Sequence, residues 1–95
     1  MVDRVKLSSS QISERLSKLS GWTGRDRRTA IQRTFCFGSF KAAVAFVAFV
    51  GELAEAADHH PDIDIRYDRV LLTLSTHSAG GLTANDFDLA ERING

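Results

Sequence analysis

Glu55, the run Asp58-His59-His60-Pro61, then Tyr67, His77 and Asp86 follow one another in the second half of a 95-residue chain, and among them are all three of its histidines. Histidine is the one side chain whose unperturbed pKa, about 6.5, lets it give and take protons near neutrality. Imidazoles set among carboxylates are the parts of an acid–base site. A lone histidine is more often a satisfied structural residue. Three drawn from two adjacent segments, with a helix C-terminus behind the first, favour catalysis. A metal site is the obvious competitor, because histidine and aspartate are ligands and Asp58, Asp62 and Asp64 lie close by in sequence. The spacing argues against it. Adjacent His59 and His60 diverge on either a helix or a strand, whereas a helix directs two ligands together from i and i+4.

The elements that must position these residues follow from periodicity. Ile63 to Tyr67 and Val70 to Thr76 alternate like strands and are separated by Asp68-Arg69, which predicts a hairpin. With Asp68-Arg69 as a two-residue turn, Tyr67 pairs with Val70 and His60 comes to lie across from His77. Pro61 has no amide proton for that ladder. Upstream, Ser8-Ser9-Ser10-Gln11 is a capping box for a first helix carrying Ile12, Leu16 and Leu19 on one face and ended by Gly21. Trp22 to Arg25 and Arg28 to Phe37 read as two strands joined around Gly24 to Arg27. Ser39 is a good N-cap for a helix from Phe40 to about Asp58. Ala79-Gly80-Gly81 is a loop, and Thr83-Ala84-Asn85-Asp86 is a second capping box, opening a last helix through Ile93. The order helix, strand, strand, helix, strand, strand, helix predicts an α+β fold, a four-stranded antiparallel sheet with three helices packed on one face.

Length and composition bound what such a chain does. Residues 1–95 make one domain, and a domain of this size buries only about 60–65% of its unfolded surface. The 40–58 helix is apolar around more of its circumference than docking on one sheet requires. Its Phe40, Ala43, Val44, Phe46, Val47, Phe49, Val50, Leu53, Ala54 and Ala57 predict a homo-oligomer formed through this helix, with edge strands available to extend the sheet between subunits. The competing reading is that the first helix covers the surplus face. Twelve basic and twelve acidic residues cancel, so no overall field favours nucleic acid or an anionic membrane. The longest apolar stretch, Ala42 to Val50, is far short of the roughly 20 residues of a membrane span. One cysteine, Cys36, and a start, Met1 to Lys6, without a signal-like apolar run point to the cytoplasm. Cys36 itself reads as a buried thiol acting as a small apolar residue.

The ordered set Glu55-x3-His59-His60-Pro61-x5-Tyr67-x9-His77-x8-Asp86 resembles the signature of the pterin-4a-carbinolamine dehydratases. Leu74-Ser75-Thr76-His77 with Gly81-Leu82 is similar to that family's second active-site segment. Leu16-x2-Leu19-x-Gly21-Trp22 and Phe35-x-Phe37-x2-Phe40 are similar to its N-terminal half, so the match runs from about Leu7 to Ile93. The resemblance implies dehydration of a 4a-hydroxytetrahydropterin to the quinonoid dihydropterin, in tetrahydrobiopterin recycling, by histidine acid–base catalysis with no metal or redox cofactor. It makes His59 and His77 the principal acid–base pair, with His60 positioning or sharing proton transfer. Pro61, Thr76, Ser78 and Ala79 then line the pterin site through their backbone. It also implies tetramers built as dimers of dimers, joined partly through the 40–58 helix. Three residues keep two readings each. Asp86 either caps the last helix or joins the chemistry, Glu55 is either a solvated carboxylate or orients His59 or a substrate amide, and Trp22 is either core filler or a flat wall beside the ligand. Arg25, Arg27, Arg28 and Arg33 form a basic patch that is either a solvated face or a guide for a phosphorylated pterin. Relatives in animals that serve as dimerisation cofactors of a transcription factor supply an interaction module as the alternative function, and action on a pterin of molybdenum-cofactor metabolism is a further one.

Overall fold

A serine hydroxyl opens the first element of the computed structural model, which describes residues 5–95. Ser8 Oγ accepts from the Gln11 amide while Gln11 Oε1 accepts from the Ser8 amide, the reciprocal box that satisfies two free amides at the start of α1 (Ser9–Ser17). The helix stops at Lys18, short of Gly21. Gly21 is held at φ 84°, and a Cβ there would stand 2.6 Å from Arg33 Nε, so the turn demands glycine for space as well as for conformation. Arg33 fills that space because its guanidinium donates to Ser20 O at 3.1 Å and to Asn94 Oδ1 at 2.8 Å, tying the end of the first helix to the end of the last.

Strands β1 (Thr23–Arg25) and β2 (Ala30–Cys36) are joined by residues 26–29, of which Asp26, Arg27 and Arg28 all have positive φ. The expected turn around Gly24 to Arg27 is therefore displaced. Gly24 stays in the ladder opposite Ile31, and the left-handed conformations fall on three residues with side chains. Helix α2 (Phe40–Ala57) is capped by Ser39, whose Oγ accepts from the Ala42 amide. Strands β3 (Asp62–Arg66) and β4 (Arg69–Leu74) follow, then a 3-10 turn at His77–Ala79 and α3 (Ala84–Asn94). The sheet is antiparallel throughout, in the order β1-β2-β4-β3.

The β3–β4 register corrects the expected hairpin. Arg66 pairs with Arg69, so Tyr67 and Asp68 form the loop, with Tyr67 at φ 54°. Arg69 is retained as a strand residue because it also pairs with Cys36 of β2, and Asp68 O accepts from the Phe37 amide at 2.8 Å. The ladder ends at Asp62 opposite Thr73, just after Pro61. Continued by two residues, it would set His60 across from Ser75 rather than His77. The shift is even, so the same side chains face the core. Ile31, Val70, Leu72 and Leu74 pack there against Val50 of α2 and Phe87 of α3, giving the predicted α+β arrangement with the helices on one face. Cys36 falls on the opposite face and is exposed, not buried as its apolar neighbours led us to expect. No helix among the described residues is long and apolar enough to cross a membrane, and residues 1–4 of the N-terminal segment lie outside the described residues.

Candidate functional site

The C-terminal end of α2 decides where the paired histidines point. Asp58 takes the left-handed conformation (φ 49°, ψ 43°), its amide donates to Glu55 O, and the His59 amide donates to Ala54 O. This is a Schellman arrangement with aspartate where glycine is usual. Reversing the chain at Asp58 sends His59 inward, 8% exposed, and His60 outward. They do not share a partner: His59 Nε2 meets Asp86 Oδ1 at 2.6 Å, and His60 Nε2 meets Glu55 Oε2 at 2.5 Å.

Asp86 is fully buried and does two jobs at once. It is the third residue of α3, where its Oδ2 accepts from the Thr83 amide at 2.9 Å and completes the capping box. The same oxygen accepts from Thr76 Oγ at 2.8 Å, while Oδ1 faces His59. The capping reading of this residue holds, and the same carboxylate also meets His59. A carboxylate that only accepts requires His59 to donate from Nε2, which leaves a lone pair on Nδ1. Because the Thr76 hydroxyl proton is spent on Asp86, the Thr83 hydroxyl donates to Thr76 Oγ at 2.9 Å. No buried polar side-chain atom among the described residues lacks a partner.

This network gathers the two histidine segments at the start of α3. Thr76 is held from the other side by its backbone pairing with Gly81, and His77, the next residue, is exposed on the 3-10 turn. His77 borders a cleft of about 440 Å³ whose walls include Arg25, Asp26, Asp62, Thr73 and Ser75. His59 borders a smaller one of about 220 Å³ between the ends of α2 and α3. Ser78 and Ala79 sit on the His77 turn, and Pro61 is half-buried just before β3. Trp22 stands apart. It is buried in the core, edge-on to Phe35, and its indole N–H donates to Asn94 at the far end of α3, about 12 Å along the helix from Asp86.

Thr83, Thr73 and Asp26 escaped the reading of the sequence as site residues, and Ser75 and Arg25 entered it only within a quoted segment and a basic patch. Thr83 appears there only as a cap, yet its hydroxyl closes the network. Thr73 and Ser75 share the cleft wall with His77, and strand alternation back from His77 was the signal that would have found them. Arg25 and Asp26 reach the same wall because Ser75 Oγ donates to Thr29 O at 2.7 Å, clamping the β1–β2 turn to the end of β4. Nothing local in the sequence announces that contact.

The family model described as pterin 4 alpha carbinolamine dehydratase matches residues 5–95. The chain belongs to that family. A curated relative from Roseiflexus sp. (strain RS-1), provisionally named a pterin-4-alpha-carbinolamine dehydratase, is 55% identical over 94% of both chains. One from Sulfolobus acidocaldarius with the same provisional name is 42% identical over 95% of this chain and 97% of its own. The crystal structure of a protein from Brucella melitensis described as a transcriptional coactivator/pterin dehydratase superposes with a TM-score of 0.90 at 41% identity, covering 95% of this chain and 96% of that one.

Proposed function

We infer that the chain is a dehydratase that removes water from 4a-hydroxytetrahydropterins. The observation that carries this reading is the buried His59–Asp86 pair, locked by the Thr83 amide and by the hydroxyl of Thr76, the residue before His77. The reaction needs a proton delivered to the C4a hydroxyl as the C–O bond breaks and a proton removed from N5, whose electrons then form the C=N bond of the quinonoid dihydropterin. Both are transfers that imidazoles perform near neutrality. The family resemblance makes His59, held in one tautomer by Asp86 and bordering the smaller cleft, and His77, exposed on the rim of the larger one, the acid–base pair. His60, oriented by Glu55, helps to position the ring. The backbone of Pro61, Thr76, Ser78 and Ala79 supplies the fixed edge against which the pterin lies, and the activity serves tetrahydrobiopterin recycling in the cytoplasm. The names carried by relatives agree with this reaction.

Purified protein accelerates loss of 4a-hydroxytetrahydropterin, followed by ultraviolet absorbance, and His59→Ala lowers that rate by about 10² or more. An unchanged rate in the variant removes His59 from the mechanism. A rate abolished by a chelator and restored by a divalent ion replaces this reading with a metal-dependent one.

A second role in assembly is favoured by one observation: Phe40, Val44 and Phe49 of α2 and Ile63 and Ile65 of β3 are exposed apolar side chains. Their burial in a homo-oligomer, built through α2 and the free edge of β3, accounts for them. The coactivator description of the Brucella melitensis protein makes a protein-partner role the alternative. A stoichiometric foreign partner retained by a triple-histidine variant would favour it.

A further inference from the structure

The larger cleft is walled from three directions, by the β1–β2 turn, by the opposed pair Asp62 and Thr73, and by the turn that carries His77. Its two carboxylates differ in kind. Asp26 is engaged by Arg25, with Oδ2 at 3.4 Å from the guanidinium Nε. Asp62 has no hydrogen bond or ion pair from its carboxylate among the described residues. It is nevertheless held firmly by its backbone, as the first residue of β3, paired with Thr73 and preceded by the fixed φ of Pro61. An unpaired carboxylate on a strand, lining the same cleft as the exposed imidazole of His77, is an acceptor in search of donors.

A pterin presents such donors. Its N3–H and 2-amino group lie side by side on one edge and point the same way, as two N–H groups of an arginine do, and a carboxylate accepts such a pair with both oxygens. C4a lies diagonally across the same six-membered ring from the 2-amino carbon. We propose that Asp62 holds the 2-amino and N3–H edge of the substrate and so selects 2-aminopteridines over their 2-oxo analogues, leaving the C4a side of the ring for His77. This rests on the dehydratase reading and deepens it, because it assigns recognition to a residue outside the histidine constellation. The 2-oxo analogue puts a carbonyl oxygen where the 2-amino group donates, which leaves two acceptors facing each other.

The test measures binding of two fluorescent probes, pterin and lumazine, its 2-oxo counterpart, alongside dehydratase kinetics. The wild-type protein binds pterin about tenfold or more tightly than lumazine, the range expected for a lost charge-assisted bond. In Asp62→Asn the pterin affinity falls and the ratio collapses towards one, with KM raised and kcat within a few-fold of wild type. Asp62→Ser, at an exposed position, gives the same collapse, so the result does not hang on one variant's folding. Asp64→Asn, on the same strand but paired with Arg66 at 3.2 Å, keeps the wild-type ratio. A folded Asp62 variant with an undiminished ratio overturns the assignment and leaves the dehydratase reading standing if wild type turns over the carbinolamine. A wild-type protein that neither binds pterin nor turns over the carbinolamine overturns both.

Discussion

Asp86 illustrates how much a single buried carboxyl group decides. It accepts from one amide, one hydroxyl and one imidazole, so replacing it removes a helix cap, an orienting contact and a charge together. Asp86→Asn keeps the shape but sets an amide where an acceptor is needed. The expected result is a loss of about 1–3 kcal/mol in urea-unfolding free energy from buried groups left unsatisfied. Dehydratase kcat falls by about 10² or more, because the His59 ring is no longer held in the tautomer that exposes a lone pair at Nδ1. Glu55→Gln provides the contrast. Its bond to His60 is exposed, so stability stays within about 0.5 kcal/mol of wild type, and any change in the steady-state assay falls on KM rather than kcat.

Among the elements, the end of α2 carries the strongest link between backbone and site. Asp58 sits in the left-handed region immediately before His59. Asp58→Gly, which adopts that conformation freely, keeps the full rate and stays within about 1 kcal/mol of wild-type stability. Asp58→Val costs about 1–2 kcal/mol and lowers the rate, since a relaxed turn re-aims His59; thermal melts with parallel rate measurements separate the two. The helix starts were legible in the sequence because their signals are local: Ser8 with Gln11, Ser39, and Thr83 with Asp86 each cap a helix where a short polar side chain meets free amides. The turns were harder. Asp68 is a good turn residue in either of two loop positions, and only the pairing of Arg69 with Cys36 on a neighbouring strand chooses between them. Likewise Gly24 looks like the natural bend, yet the chain bends at Asp26 to Arg28 instead. The outward turn of Cys36 is a matter of strand phase, which Phe35 and Phe37 on either side announce only once the sheet's covered face is known.

At the scale of the whole molecule, the apolar surface left on α2 and β3 predicts self-association. Phe49→Glu places a charge in the exposed band, at the outer end of the aromatic row it forms with Phe46, so light scattering coupled to gel filtration should find a smaller species than wild type, with the far-ultraviolet spectrum unchanged; a wild-type protein already monomeric at micromolar concentration would refute the assembly. The spacing of Glu55, the histidines and Asp86 was readable as a constellation, but its division was not. The structure draws His59, Asp86 and Thr76 into one buried network, turns His60 to Glu55 and leaves His77 at a cleft. That partition depends on contacts between segments far apart along the chain. Because the first turn of α3 is pinned by the same carboxyl group that holds His59, the proposed mechanism makes fraying of that helix end and loss of turnover one event. On gradual warming, catalysis should therefore fade in step with amide exchange at Thr83, reporting the opening of a single helical turn well before the sheet gives way.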